Sequence, residues 1–247
     1  MKIRHFIAVI VLALAVATTM PAMSQSKWVY QLGLGGTLNS GNINNIGFRN
    51  TGSIDRNDSV LAFSTSYRFL YSEENHVTTN MGLDGGMKLD YMQYDRWSPF
   101  CAMEFISNHF KGYDFKISFL AGAKYRIYTI PGRCDYSISA ALVGDYANYH
   151  ITDPIADTLD RVLMRISLRG KIVQRIGEST MLKHMTFYQP SIIDYSDFII
   201  SSITKVENKL NSHLFLDIIF EYDYRSVVPE ERSRYDVATE IALRLKF

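Results

Sequence analysis

The stretch Tyr235-Asp236-Val237-Ala238-Thr239-Glu240-Ile241-Ala242-Leu243-Arg244-Leu245-Lys246-Phe247 alternates without a slip. Tyr235, Val237, Thr239, Ile241, Leu243, Leu245 and Phe247 share one face, and Asp236, Glu240, Arg244 and Lys246 share the other with two alanines. A period of two over 13 residues sets an apolar stripe opposite a charged one, which a strand produces and a helix cannot.

The same pattern recurs upstream. Leu214, Leu216, Ile218, Phe220, Tyr222 and Tyr224 oppose Asp217, Glu221, Asp223 and Arg225. Val162, Met164, Ile166 and Leu168 oppose Arg161, Arg165, Arg169 and Lys171. Phe115, Ile117, Phe119, Tyr125 and Ile127 oppose Lys116, Lys124 and Arg126, and Leu83, Met87, Leu89 and Tyr91 oppose Asp84, Lys88 and Asp90. Leu61, Phe63, Tyr67 and Phe69 oppose Ser64, Ser66 and Arg68. About twelve strand-like segments result, at 27–39, 43–55, 59–72, 78–94, 97–107, 115–128, 134–147, 161–173, 181–189, 198–206, 212–225 and 234–247. The pair 181–189 and 198–206 has the weakest pattern, and ten strands result without it. Short separators (55–58, 95–96, 129–133, 177–180, 207–211) alternate with mostly longer ones (73–76, 108–114, 149–160, 190–197, 226–233). The first hairpin, at Ser40-Gly41-Asn42, is short where a long loop is expected. Tight turns on one rim and long loops on the other predict an all-β fold, an antiparallel up-and-down transmembrane barrel with both termini at the tight-turn rim.

Composition agrees. Hydrophobic residues make up 47% and mean hydropathy is −0.05, which excludes a disordered chain and a multi-helix membrane protein alike. Lys2, Arg4 and His5 precede an apolar run at 6–17 and the small-residue site Ala22-Met23-Ser24, the pattern of a secretory leader. Residues 1–24 are therefore read as a signal peptide and 25–247 as one barrel domain. Removing Lys2 and Arg4 from 26 basic residues leaves 24 against 25 acidic ones, a balance that argues against nucleic acid as a partner.

Solvation decides the faces. A Lys or Arg turned to hydrocarbon near the bilayer midplane costs roughly 2–4 kcal/mol, so the apolar stripes must meet outer-membrane lipid and the charged stripes the lumen. The candidate lumen-lining residues are Arg68, Asp84, Lys88, Asp90, Lys116, Lys124, Arg126, Arg165, Arg169, Asp217, Glu221, Asp236, Glu240 and Arg244. Basic residues of the sixth and eighth segments then face carboxylates of the fourth, eleventh and twelfth. Aromatic residues gather toward segment ends (Trp28, Tyr30, Tyr91, Tyr94, Trp97, Tyr125, Tyr128, Tyr222, Tyr224), as interfacial girdles require. The lumen charges either line a narrow polar conduit or interlock and occlude it, with occlusion slightly favoured. Twelve strands lie between the filled eight-stranded barrel and the conducting sixteen-stranded one.

The order of several short motifs resembles the YdiY-like, salt-induced outer-membrane protein family, whose domain has no assigned function. They are Ser40-Gly41-Asn42, Asp95-Arg96-Trp97, Phe110-Lys111-Gly112-Tyr113-Asp114, Gly122 with Tyr125-Arg126, and Pro229-Glu230 before Asp236. The similarity covers about residues 30–247, while Asn44-Asn45 replaces a usual Thr-rich stretch and the loops after 148 match poorly. It implies an outer-membrane barrel of a Gram-negative bacterium and carries over no catalytic residues. The terminal Phe247 resembles the signal by which barrel-assembly machinery recognises its substrates.

No cofactor or metal is called for. His76, His109 and His150 fall in or beside the long separators and could converge on a metal, but no Cys or carboxylate pattern accompanies them. His184 and His213 are placed near the tight-turn rim. No His is followed at spacing two by a serine on a lipid-facing stripe, as an outer-membrane lipid hydrolase of the Ser–His type would require. Cys101 and Cys134 fall two strands apart, nearly 10 Å, beyond disulfide reach. The reading is a non-enzymatic outer-membrane barrel, acting as a small-solute channel or an envelope structural protein. The alternatives are an outer-membrane lipid-modifying enzyme and a soluble periplasmic ligand-binding barrel, the latter with the two faces exchanged.

Overall fold

The computed structural model describes residues 28–40, 45–74, 77–108, 113–149, 160–228 and 233–247. They form β1 (Trp28–Ser40), β2 (Asn45–Arg56), β3 (Leu61–Glu74), β4 (Val77–Tyr91), β5 (Trp97–Asn108) and β6 (Tyr113–Ile130), then β7 (Cys134–Tyr149), β8 (Asp160–Arg175), β9 (Thr180–Pro190), β10 (Phe198–Lys209), β11 (Leu214–Arg225) and β12 (Tyr235–Lys246). Every strand pairs antiparallel with its neighbours in chain order, and β1 pairs with β12 to close the barrel. At the seam, the Tyr30 N–H donates to the Phe247 carbonyl at 3.1 Å and the Phe247 N–H donates back at 2.9 Å. Closure leaves no free sheet edge, the condition for backbone to cross lipid in strands.

The uncertain pair is a hairpin, β9 and β10, in register from Phe198 with Pro190 to Asn208 with Thr180. β10 runs to Lys209, so Glu207 belongs to a strand and not to the separator expected at 207–211. In β6 the two-residue pattern breaks at a bulge between Arg126 and Tyr128, which brings Tyr128 opposite Tyr136. At the β6–β7 turn Gly132 takes a φ of 71°, a left-handed conformation that glycine adopts freely, and the Arg133 N–H donates to the Ile130 carbonyl at 2.9 Å.

The burial is inside out relative to a soluble protein. Phe119 is 62% exposed and Ile241 59%, while Asp217 is 2% and Glu240 3% exposed. Large apolar residues therefore form the outer belt, and the most enclosed groups include carboxylates and arginines. A soluble barrel holding an apolar ligand would need the reverse. Trp97 packs on Tyr125 at 4.8 Å between ring centroids and Trp28 on Phe63 at 6.5 Å near the tight-turn rim. Tyr188, Phe198 and Tyr224 form a row near the other, at 5.7 and 5.9 Å. On the outer wall, a Cβ added to Gly52 would stand 2.3 Å from the Tyr67 ring, so only glycine lets that ring lie flat while its hydroxyl donates to Asn50 at 2.9 Å.

Both cysteines are free, Cys101 exposed and Cys134 buried. Cys101 sits between Leu89 and Ala121 on the outer face. A nitroxide attached at Cys101 in a Cys134→Ala background is expected to respond strongly to dissolved oxygen and weakly to a charged, water-soluble relaxant in reconstituted vesicles. The opposite response would reverse the assignment of the faces.

Candidate functional site

The charged residues cluster inside the barrel because each lies on the strand face opposite the apolar belt, and closure then decides which of them meet. Arg49 on β2 pairs with Glu221 of β11 at 3.2 Å and with Glu240 of β12. Arg68 on β3 holds Asp84 of β4 at 2.5 Å and reaches Glu221 at 3.0 Å. β12, β1 and β2 lie between β11 and β3, so the Arg68–Glu221 pair cuts a chord across the lumen. Lower on this wall, Asp217 accepts from Arg244 at 2.6 and 3.1 Å and pairs with Lys205 at 2.8 Å. Glu207 gathers Lys183, Lys205 and Arg244 at 2.8, 3.1 and 3.0 Å, and Arg244 also donates to Gln31 at 2.7 Å and stacks on Phe215. Asp236 stands opposite Asp223 near the long-loop rim.

The facing wall carries a different balance. From β6 to β9 the inner faces hold Lys116, Lys124, Arg126, Arg165, Arg169, Lys171 and Lys183 against Asp135 and Asp145. Lys116 takes Asp145 at 3.1 Å, and Asp135 is shared by Arg126 at 3.1 Å and Lys171 at 3.5 Å. Arg126 also donates to the carbonyls of Gln93 and Tyr94, and Lys124 donates to Gln93 at 3.2 Å. The β4–β5 turn thereby caps the basic end of β6. Lys124 lies 3.9 Å from Asp90, whose nearer partner is Lys88 at 2.6 Å.

Arg165 and Arg169 share a strand face and differ in surroundings. Arg165 is 5% exposed, clasps Asp197 of the β9–β10 loop through two 2.9 Å hydrogen bonds, and donates to the backbone carbonyls of Asp197 and Gln189. That loop adds an extra bridge, Ser191 against Arg165. Among the described residues Arg169 has no carboxylate at ion-pair distance. Its guanidinium lies 5.9 Å from the centre of Phe100 on β5 and 6.0 Å from Phe187 on β9, within cation–π range of both. Lys88 covers the same Phe100 ring at 4.9 Å. The inner face of the intervening β7 is small (Ser137, Ser139, Ala141, Val143), which leaves room for Arg169 to extend inward.

Arg49, Asp145, Asp197, Glu207, Phe100 and Phe187 are site residues that pattern reading missed. Arg49 sits in a strand whose outer face includes Asn50 and Gly52, so its stripe is faint. Asp145 was legible, because it shares the parity of Ser137 and Ser139 on β7. Asp197 lies in a loop and carries no period. His76, His109 and His150 fall outside the described residues. Contrary to expectation, His184 is not at the tight-turn rim. It sits in mid-strand on β9 and bonds to hydroxyls on the outer face. His213 is in the β10–β11 turn, beside Phe247 at 6.3 Å.

A closed twelve-stranded antiparallel barrel with an apolar belt and a charged lumen defines the porin-like class of membrane barrel. The chain belongs to the family described as a protein of unknown function, DUF481, which matches residues 32–247; the YdiY-like resemblance is consistent with this. No curated protein matches it in sequence. Among solved structures, the NanC porin is similar with a TM-score of 0.61 at 12% identity, over 87% of this chain and 100% of that one. The KdgM porin in complex with disordered oligogalacturonate follows at 0.50 and 9%, over 88% and 99%. An outer-membrane channel from Pseudomonas putida F1 gives 0.50 and 9%, over 93% and 100%. These similar structures are porins and channels, and at such identities what they share with this chain is the fold.

Proposed function

We propose that the chain, after removal of residues 1–24, is a non-enzymatic outer-membrane barrel that conducts small solutes through a narrow lumen and favours anions. The observation that carries this reading is the uneven wall: from β6 to β9 cations outnumber carboxylates, and Arg169 stands in the lumen with no carboxylate of the described residues at ion-pair distance, attracted only through space by Asp90 and Glu104. On β10 to β4 the carboxylates outnumber the cations, but Arg49, Arg68, Lys88, Lys205 and Arg244 pair with most of them, so the excess positive charge lies on the β6–β9 side. Low-dielectric walls around one sign of charge focus its field and concentrate the opposite ion. The fold shared with the NanC and KdgM porins supports a channel role. Outer-membrane lipid surrounds the belt, and barrel-assembly machinery reads β12 through its terminal Phe247.

The test is planar-bilayer conductance of the refolded residues 25–247 across a KCl gradient. Steady unitary currents with a reversal potential on the chloride side are expected. Silence from protein that shows heat-modifiable migration would instead identify an occluded, structural barrel, held shut by cross-lumen pairs such as Arg68–Glu221.

A further inference from the structure

The outer wall carries a polar cluster that the channel reading does not use. His184 and Thr186 on β9 alternate with the inward Lys183 and Phe187, so they face outward, and Ser202 and Thr204 of β10 stand directly opposite them. His184 Nδ1 lies 2.9 Å from Thr204 Oγ1 and its Nε2 lies 3.0 Å from Thr186 Oγ1. Thr186 Oγ1 is also 3.5 Å from Ser202 Oγ. Gly170 of β8 flanks Thr186 and contributes no side chain, so the cluster is open on that side.

Counting hydrogens shows what is left over. A neutral imidazole supplies one N–H and the three hydroxyls one O–H each, four donors in all. The cluster has three internal contacts, and each consumes one hydrogen. At least one donor is therefore unspent, on a surface that faces lipid, where water is not at hand to accept it.

Depth identifies the acceptor. Thr186 is two residues from Tyr188 of the aromatic row, about 7 Å along the strand and about 5 Å in depth at the usual tilt. Aromatic rows sit at the membrane–water interface, so the open hydroxyls lie just beneath it, at the level of acyl ester groups. The geometry points to a lipid-binding site here, in which the His184–Thr186–Ser202–Thr204 cluster donates a hydrogen bond to an ester carbonyl of a surrounding lipid. Hydrolysis of that ester is not part of the assignment. Among the described residues no carboxylate orients His184, and the strand N–H groups that would stabilise an oxyanion are spent in the sheet.

The site is independent of conduction, and its test uses a lipid without the acceptor. Urea unfolding of the folded 25–247 chain would be measured in vesicles of diester phosphatidylcholine and in otherwise matched diether vesicles, which lack ester carbonyls. Wild type is expected to favour the diester bilayer by about fivefold in its folded-to-unfolded ratio, the size of one neutral hydrogen bond. A His184→Leu, Thr186→Val, Ser202→Ala, Thr204→Val variant should lose that preference, as in smaller measure should Ser202→Ala alone. Equal wild-type stability in both lipids overturns the site, and so does a preference that survives in the fourfold variant. A wild type that cross-links as a dimer in both lipids, against a monomeric variant, would make this face a contact between copies and would equally overturn it.

Discussion

Replacing Arg169 by glutamate is expected to convert an anion-favouring pore into one that is unselective or favours cations, at a modest cost in stability. Arg169 donates to no carboxylate among the described residues, so its removal breaks no ion pair, and Asp90 and Glu104, which attract it through space, then face a like charge. The rings of Phe100 and Phe187 that flank it lose only a cation–π contact, about 0.5–1 kcal/mol each in a wet site. Unit charges 4 Å apart interact by about 1 kcal/mol in water-like surroundings and more near low-dielectric walls. Changing the charge by two units should shift the chloride-to-potassium permeability ratio on the order of tenfold at low salt, and less at 1 M where the Debye length is about 3 Å. Reversal potentials in asymmetric KCl measure this directly. Arg165 supplies the contrast. Arg165→Ala leaves Asp197 enclosed without its two-pronged donor, so lowered stability with nearly unchanged selectivity is expected. Equal selectivity shifts in the two variants would remove the special place given to Arg169.

Asp217→Ala is expected to be the most destabilising single change in the lumen. Asp217 is 2% exposed and accepts from Arg244 while pairing with Lys205. Its loss leaves two cations sharing Glu207, which already pairs with Lys183. Breaking a buried pair from one side typically costs about 3–5 kcal/mol, because the remaining charge stays desolvated. Reversible urea unfolding from vesicles should show that loss in Asp217→Ala. A double Asp217→Ala, Arg244→Met variant should recover part of it, since the stranded charge is then gone. A cost below about 1 kcal/mol for the single change would mean that lumen water already screens this network.

How much of this was legible depends on the range over which each signal acts. In β12 and β11 the alternation is unbroken, and their limits, faces and place in the barrel follow from it. The β9–β10 hairpin read poorly for a reason the structure supplies. Its outer stripe carries His184, Thr186, Ser202 and Thr204 where other strands carry Leu, Ile or Phe, so the contrast between faces fades. The feature that blurred the hairpin is the one that marks a separate site on the outer wall. Reading for a serine two residues after a histidine also overlooked a threonine in that place and hydroxyls on the adjacent strand.

Sequence by itself determined the strand periodicity, the inventory of charges, and which charges share a face, because alternation is a relation between residues two apart. It also determined that a strip of Arg and Lys on 116–126 and 161–171 faces inward if the apolar stripes meet lipid. Only the tertiary structure decided the partners. Arg68 and Glu221 are 153 residues apart and meet because β1 and β12 close the ring and the stagger of the strands sets their heights. Arg165 and Arg169 are equivalent by sequence, four residues apart on one face. The loop that returns Asp197 to Arg165, and the curvature that brings Phe100 and Phe187 to Arg169, make the first a strut and leave the second over aromatic rings with no ion-pair partner among the described residues.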